Sequence, residues 1–184
     1  DGSVVAIGAG GNDGTASTAG HVRIYSYSGG TWTQLGADID GEAEGDESGK
    51  SVSLSADGSV VAIGAQYNDD TGTSAGHVRV YSYSGGTWTK MGSDIDGEAA
   101  SDYSGYSVSL SSDGTAVAIG AYGNDNSAGH VRVFQWNTVG VPGWTQVGAD
   151  IGGEAASDRS GYSVSLSSDG SVVAIGAQYN DDTG

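Results

Sequence analysis

The chain has 184 residues, among them 34 Gly, 1 Pro and no Cys, and its 23 acidic side chains face only 6 basic ones, for a net charge of −17. That balance excludes electrostatic attraction to nucleic acid or an anionic membrane surface, and the missing cysteines exclude disulfides, thiolate metal sites and a thiol nucleophile. Apolar runs such as 60–65 fall far short of the 18 residues a spanning helix needs, so no direct membrane insertion is expected.

Self-similarity organises everything else. The run from Asp1 to Ala9 returns from Asp57, from Asp113 with Thr115 and Ala116 substituted, and from Asp169, a period of 56 residues. Trp32, Trp88 and Trp144 keep the period. His21 and His77 are 56 apart but His77 and His130 only 53, so the third copy has lost three residues and regained them later. Packed strands do not absorb such changes, which places one loop before Gly129-His130 and another between Phe134 and Trp144.

Taken in chain order, one repeat reads as four strands. His77 to Tyr83 alternates polar and apolar residues, Ser84 to Thr87 turns through two glycines, and Trp88 opens the next strand. A two-residue hairpin there sets Tyr27 opposite Trp32 and Tyr83 opposite Trp88, with Trp136 and Trp144 as the third pair. An acidic segment follows. Tyr106, Val108 and Leu110 then share one face of a strand whose other face is serine, and an Asp113-Gly114 turn leads into apolar Ala116 to Ala121. The small Gly120-Ala121 end predicts close approach of neighbouring backbones at a crowded centre. Nothing reads as a helix.

The expected fold is all-β: β-propeller blades of four antiparallel strands with a 56-residue repeat, about 3.3 blades in this chain, as a partial propeller or tandem array. The first blade spans 1–48, the second 49–104, the third 105–160, and 161–184 begin a fourth. Because the chain opens within a repeat, it is expected to be a piece of something longer. The runs Gly105-Tyr106-Ser107, Val117 to Ala121 and Gly129 to Val133 resemble the Phe-Gly and Gly-Ala-Pro (FG-GAP) repeats of integrin α-subunit propellers, and the Asp-Gly turn with its apolar strand is similar, more distantly, to WD40 repeats. That resemblance implies a propeller. It would also imply calcium in the Asp-Gly hairpin, but Ser55 to Gly58 offers one carboxylate where calcium takes six to eight oxygens, so no calcium site is expected there.

Six acids fall in the loops before the histidine strands and thirteen in the acidic segments, all at one end of an up-and-down sheet. Such a face attracts divalent cations or basic partners. Asp94, Asp96 and Glu98, repeated as Asp38, Asp40 and Glu42, are the candidate ligands for Ca²⁺ as a possible cofactor, and Asp69, Asp70, Asp102 and Trp136 are the candidate ligand-binding residues. His21, His77 and His130 recur two residues before Arg23, Arg79 and Arg132; groups locked to a repeat suit acids between adjacent blades better than a catalytic role. The expectation is a non-catalytic extracellular or cell-surface adhesive or structural module. Its acidic face would meet a protein partner, directly or through a cation, or further copies of the same repeat; the alternative is a lectin-like propeller with a glycan partner.

Overall fold

The computed structural model describes residues 2–181; Asp1 of the first Asp-Gly turn and Asp182, one of the six loop acids, lie outside them. Sixteen strands build successive antiparallel sheets. β1 (Val4–Ala9), β2 (His21–Ser28), β3 (Thr31–Gln34) and β4 (Ile39–Asp40) form the first. The second holds β5 (Ser51–Leu54), β6 (Val60–Ala65), β7 (His77–Ser84), β8 (Thr87–Lys90) and β9 (Ile95–Asp96), and the third β10 (Ser107–Leu110), β11 (Ala116–Ala121), β12 (His130–Asn137), β13 (Gly143–Gln146) and β14 (Ile151–Gly152). β15 (Ser160–Leu166) and β16 (Val173–Ala177) pair as the start of a fourth. The protein is an all-β propeller. The shortened loop expected in the third blade turns tightly over residues 124–127, with Asp125, Asn126 and Ser127 all at positive φ.

The middle strands are apolar on both faces because each is covered on both. β6 contributes Val61 and Ile63 to a core shared with Val22, Ile24 and Ile39 of the first blade. Its Val60 and Ala62 join Val78, Val80, Val117, Ile119 and Phe134 in the core against the third. Burying each such valine or isoleucine contributes roughly 1.5–3 kcal/mol, so the blade-to-blade cores are the main stabilising term. At the first flank the same position is bare: Ile7 is 52% exposed, against 0% for Ile63 and 1% for Ile119.

The serines on the other face of the first strands also bond across blades. Ser51 Oγ donates to the Gly105 carbonyl at 2.7 Å, Ser107 Oγ to that of Gly161 at 2.8 Å, and Ser53 Oγ accepts from the Leu110 N–H at 2.9 Å. Because β10 packs against both β5 and β15, these first strands are the ones nearest the hub. The hairpin registers are those expected: Tyr27 faces Trp32, Tyr83 faces Trp88 and Trp136 faces Trp144. Each tryptophan inside the stack additionally reaches the blade before it, Trp88 Nε1 donating to Leu35 O at 2.8 Å and Trp144 Nε1 to Met91 O at 2.9 Å.

The Asp-Gly turns are closed by their own carboxylates. Asp57 accepts from Ser55 Oγ at 2.7 Å and from the Ser59 N–H at 2.9 Å; Asp113 and Asp169 repeat the arrangement with Ser111 and Thr115, and with Ser167 and Ser171. The seryl hydroxyls, then the backbone N–H groups, hold all three carboxyls below the usual 3.8, Asp169 at about 2. A depressed carboxyl pKa adds stability that is complete above the unfolded value and lost as pH falls through the folded one. Urea midpoints should therefore fall between pH 4 and pH 2, and fall less steeply in the triple variant Asp57→Asn, Asp113→Asn, Asp169→Asn; equal slopes would show that the turns do not hold the carboxylates ionised.

Candidate functional site

The acidic segment is not a free loop. Ile95 is buried at 4% exposure and pulls its neighbours into β9, which pairs with the start of β7 so that Asp96 lies opposite His77; β4 and β14 do the same in their blades. The expected metal ligands are thereby divided between junctions instead of forming one cage per segment. Asp38 and Asp40 approach His21, whereas Glu42 reaches into the next blade to the group containing Asp70, His77 and Asp94. Glu98 likewise leaves Asp94 and Asp96 to join His130 and Asp150.

Arginines occupy these junctions as repeat-locked partners for acids. Arg79 Nη2 donates to Asp40 O at 2.8 Å and to Ser48 Oγ at 3.1 Å, while Nη1 lies 3.2 Å from Glu42. Arg132 repeats this with Asp96 O at 2.6 Å and Glu98 at 3.7 Å. Arg23, with no blade in front of it among the described residues, turns to Asp38 of its own blade at 2.9 Å, and that guanidinium holds the Asp38 carboxyl below the usual range. Asp94 is held by Lys90 at 2.7 Å. Burial raises the Asp96 carboxyl and, with the neighbouring arginine second, lowers the imidazoles of His77 and His130.

The remaining candidates sit apart. Asp69 accepts from the Ser74 N–H at 2.6 Å and shapes its own loop. Asp102 is buried and ties the Ala99 N–H to the Asn124 side chain. Trp136 packs at 5.3 Å against Trp144 and covers Gly92, which leaves it half-buried in its hairpin.

Sequence reasoning missed a second feature at the same end, beside the start of the first strands. Tyr103 stacks on Tyr122 with centroids 5.1 Å apart and planes 10° off parallel; Tyr106 meets Tyr122 edge-on at 4.6 Å and Tyr162 at 4.8 Å; Tyr67 closes on Tyr103 at 5.8 Å. Lys50 lies 5.2 Å over Tyr106, and Arg159 5.5 Å over Tyr122 and 4.8 Å over Tyr179. Burial, then the bond to Tyr162, pushes the Tyr106 hydroxyl up to about 12. These residues stand where the copies disagree: Lys50, Tyr106 and Tyr162 share one repeat position, Glu47, Tyr103 and Arg159 another. Divergence within an otherwise faithful repeat was the available signal.

No protein-family model matches the chain, and no curated protein does. Solved structures do resemble it. A candidate 6-phosphogluconolactonase from Bacteroides uniformis matches with a TM-score of 0.58 and 12% identity over 86% of this chain and 41% of its own. Hydrazine synthase from Kuenenia stuttgartiensis matches at 0.57 and 14% over 98% and 57%, and TolB from Acinetobacter baumannii at 0.51 and 14% over 97% and 36%. The chain thus spans roughly a third to three fifths of the proteins it resembles, and at these identities the likeness establishes the fold. It supports a propeller and not the integrin-type repeat in particular. The expected extracellular adhesive module and its lectin alternative are corrected by the same comparison: two of the similar structures are candidate 6-phosphogluconolactonases, the second from Bacteroides fragilis at 16% identity. Those names also stand against the expectation of a chain without enzymatic function.

Proposed function

We propose that this segment supplies part of the binding surface for a small hydroxylated sugar acid within a larger propeller of sugar-metabolising type. The observation that carries the reading is the tyrosine cluster flanked by Lys50 and Arg159, two of only six basic side chains in a chain of charge −17. The packed rings hold phenolic hydroxyls in place as donors and acceptors for the hydroxyls of a sugar. A guanidinium and an ammonium at the edges favour a ligand carrying carboxylate or phosphate, since each forms charge-assisted hydrogen bonds with such a group. The lactonase names among the similar structures support the same ligand class.

Titration with 6-phosphogluconate, gluconate and glucose, followed by calorimetry, tests it. The charged acids are expected to bind more tightly than glucose, with Tyr106→Ala and Arg159→Ala each weakening binding at least about tenfold. Equal binding of glucose, or unchanged affinity in both variants, rejects the assignment.

A further inference from the structure

The junction between the first and second blades has the makings of a metal centre that lies apart from the tyrosine cluster and that no single acidic motif read from sequence contains, since it takes Glu42 from one motif and Asp94 from the next. His77 is fully buried, and neither ring nitrogen has a hydrogen-bond partner. A buried imidazole left unpartnered costs free energy comparable to a lost hydrogen bond, so the orientation calls for a compensating ligand. Around it stand Asp70, with Oδ2 3.9 Å from His77 Nδ1, Asp94, and Glu42 from the preceding blade; one donor atom of each lies within 4.8 Å of all the others. Donors held tetrahedrally by one small divalent ion at about 2.0–2.2 Å sit roughly 3.3–3.6 Å apart, so binding draws the four atoms together by up to about an ångström. Asp70 and Glu42 are exposed enough to make that movement, Glu42 by swinging from Arg79, 3.2 Å away.

We propose that His77, Asp70, Asp94 and Glu42 form a binding site for a borderline divalent cation of the zinc class, bridging two blades. Imidazole nitrogen among three carboxylates suits zinc and its transition-metal neighbours, whereas calcium selects oxygen alone. Three carboxylates against the guanidinium of Arg79 and the ammonium of Lys90, which holds Asp94 at 2.7 Å, still leave a net negative site for the cation to neutralise, and the metal ties Glu42 of one blade to the histidine of the next. The third-blade junction is poorer. His130 has only Asp150 and Glu98 about it, because the shortened loop there leaves no counterpart of Asp70. His21 has only Asp38 and Asp40, and Asp38 is already paired with Arg23, so among the described residues one tight site follows, at His77.

The test is calorimetry and thermal melting of the metal-stripped full chain with Zn²⁺, Mn²⁺ and Ca²⁺, with Co²⁺ absorption as the reporter of a nitrogen donor. Zn²⁺ is expected to bind one equivalent and raise the melting temperature, with Ca²⁺ giving no comparable shift. Asp70→Asn, at an exposed position, should weaken Zn²⁺ binding at least about tenfold without changing the metal-free melt. His77→Leu should abolish the Zn²⁺ shift and the Co²⁺ spectrum while melting at least as high as the parent without metal, since it removes an unpartnered polar group. Equal responses to Ca²⁺ and Zn²⁺, an unchanged Zn²⁺ affinity in Asp70→Asn, or no binding by the parent overturns the proposal.

Discussion

Replacing Gly64 by alanine is expected to destabilise the protein by about 3 kcal/mol, at the upper end of what a single added methyl group does in a packed interior. Gly64 lies near the end of β6 at the hub, and a Cβ there would fall on the carbonyl oxygen of Gly105, at the start of the next blade, as well as against Ser51 Oγ. Ser51 could rotate, at the loss of its hydrogen bond to that same carbonyl. The carbonyl itself is fixed, because Gly105 holds a φ of +81° and donates its N–H to Gly120. Relief therefore requires the third blade to move away from the second, opening the core between Ala62 and Val117. Gly152→Ala is the control: nothing lies within 4 Å of its would-be Cβ and its φ is outside the left-handed region, so the change should be neutral or slightly stabilising. Urea midpoints at unchanged m-value measure both. A Gly64→Ala loss below about 1 kcal/mol would mean that the blades do not meet backbone to backbone at this point.

That close approach was legible in the sequence, since Gly120-Ala121 and its repeats put the smallest side chains where neighbouring backbones converge. So were the hairpin registers, because two adjacent glycines leave one way to fold back and fix every residue opposite. Short elements were not. β4, β9 and β14 contain two residues each, too few to display a period, and the Asp-Ile-Asp spelling at β4 and β9 reads as a cation loop until the burial of Ile39 and Ile95 is seen. Repetition itself hid the tyrosine cluster. Comparing copies directs attention to what they share, whereas Lys50, Tyr106 and Arg159 occupy positions where the copies differ and are drawn together only by the curvature of successive blades. His77 was expected to satisfy an acid between blades, yet neither ring nitrogen has a hydrogen-bond partner; the carboxylates around it come from two blades, and no local spacing joins Glu42 to Asp70.

Arg79→Met should cost about 3 kcal/mol and Arg23→Met far less, although the two arginines occupy the same position in successive copies. The Arg79 side chain is 4% exposed, donates to a carbonyl and a hydroxyl of the preceding blade, and faces Glu42. Methionine keeps most of the volume but strands the Asp40 carbonyl and the buried Ser48 hydroxyl without their donor. Removing one member of a buried pair typically costs 3–5 kcal/mol; the lower end applies because Glu42 is 42% exposed and regains water. Arg23, at 45% exposure, holds a solvent-facing pair with Asp38 whose loss water largely repairs. Arg132→Met belongs between them, its guanidinium buried but 3.7 Å from Glu98. Salt separates the mechanisms further: raising it to 1 M shrinks the screening length to about 3 Å, which should erase the Arg23 effect and leave most of that of Arg79. Equal losses for the two arginines would mean that the preceding blade contributes nothing to holding the guanidinium, and the blade junction would have to be redrawn.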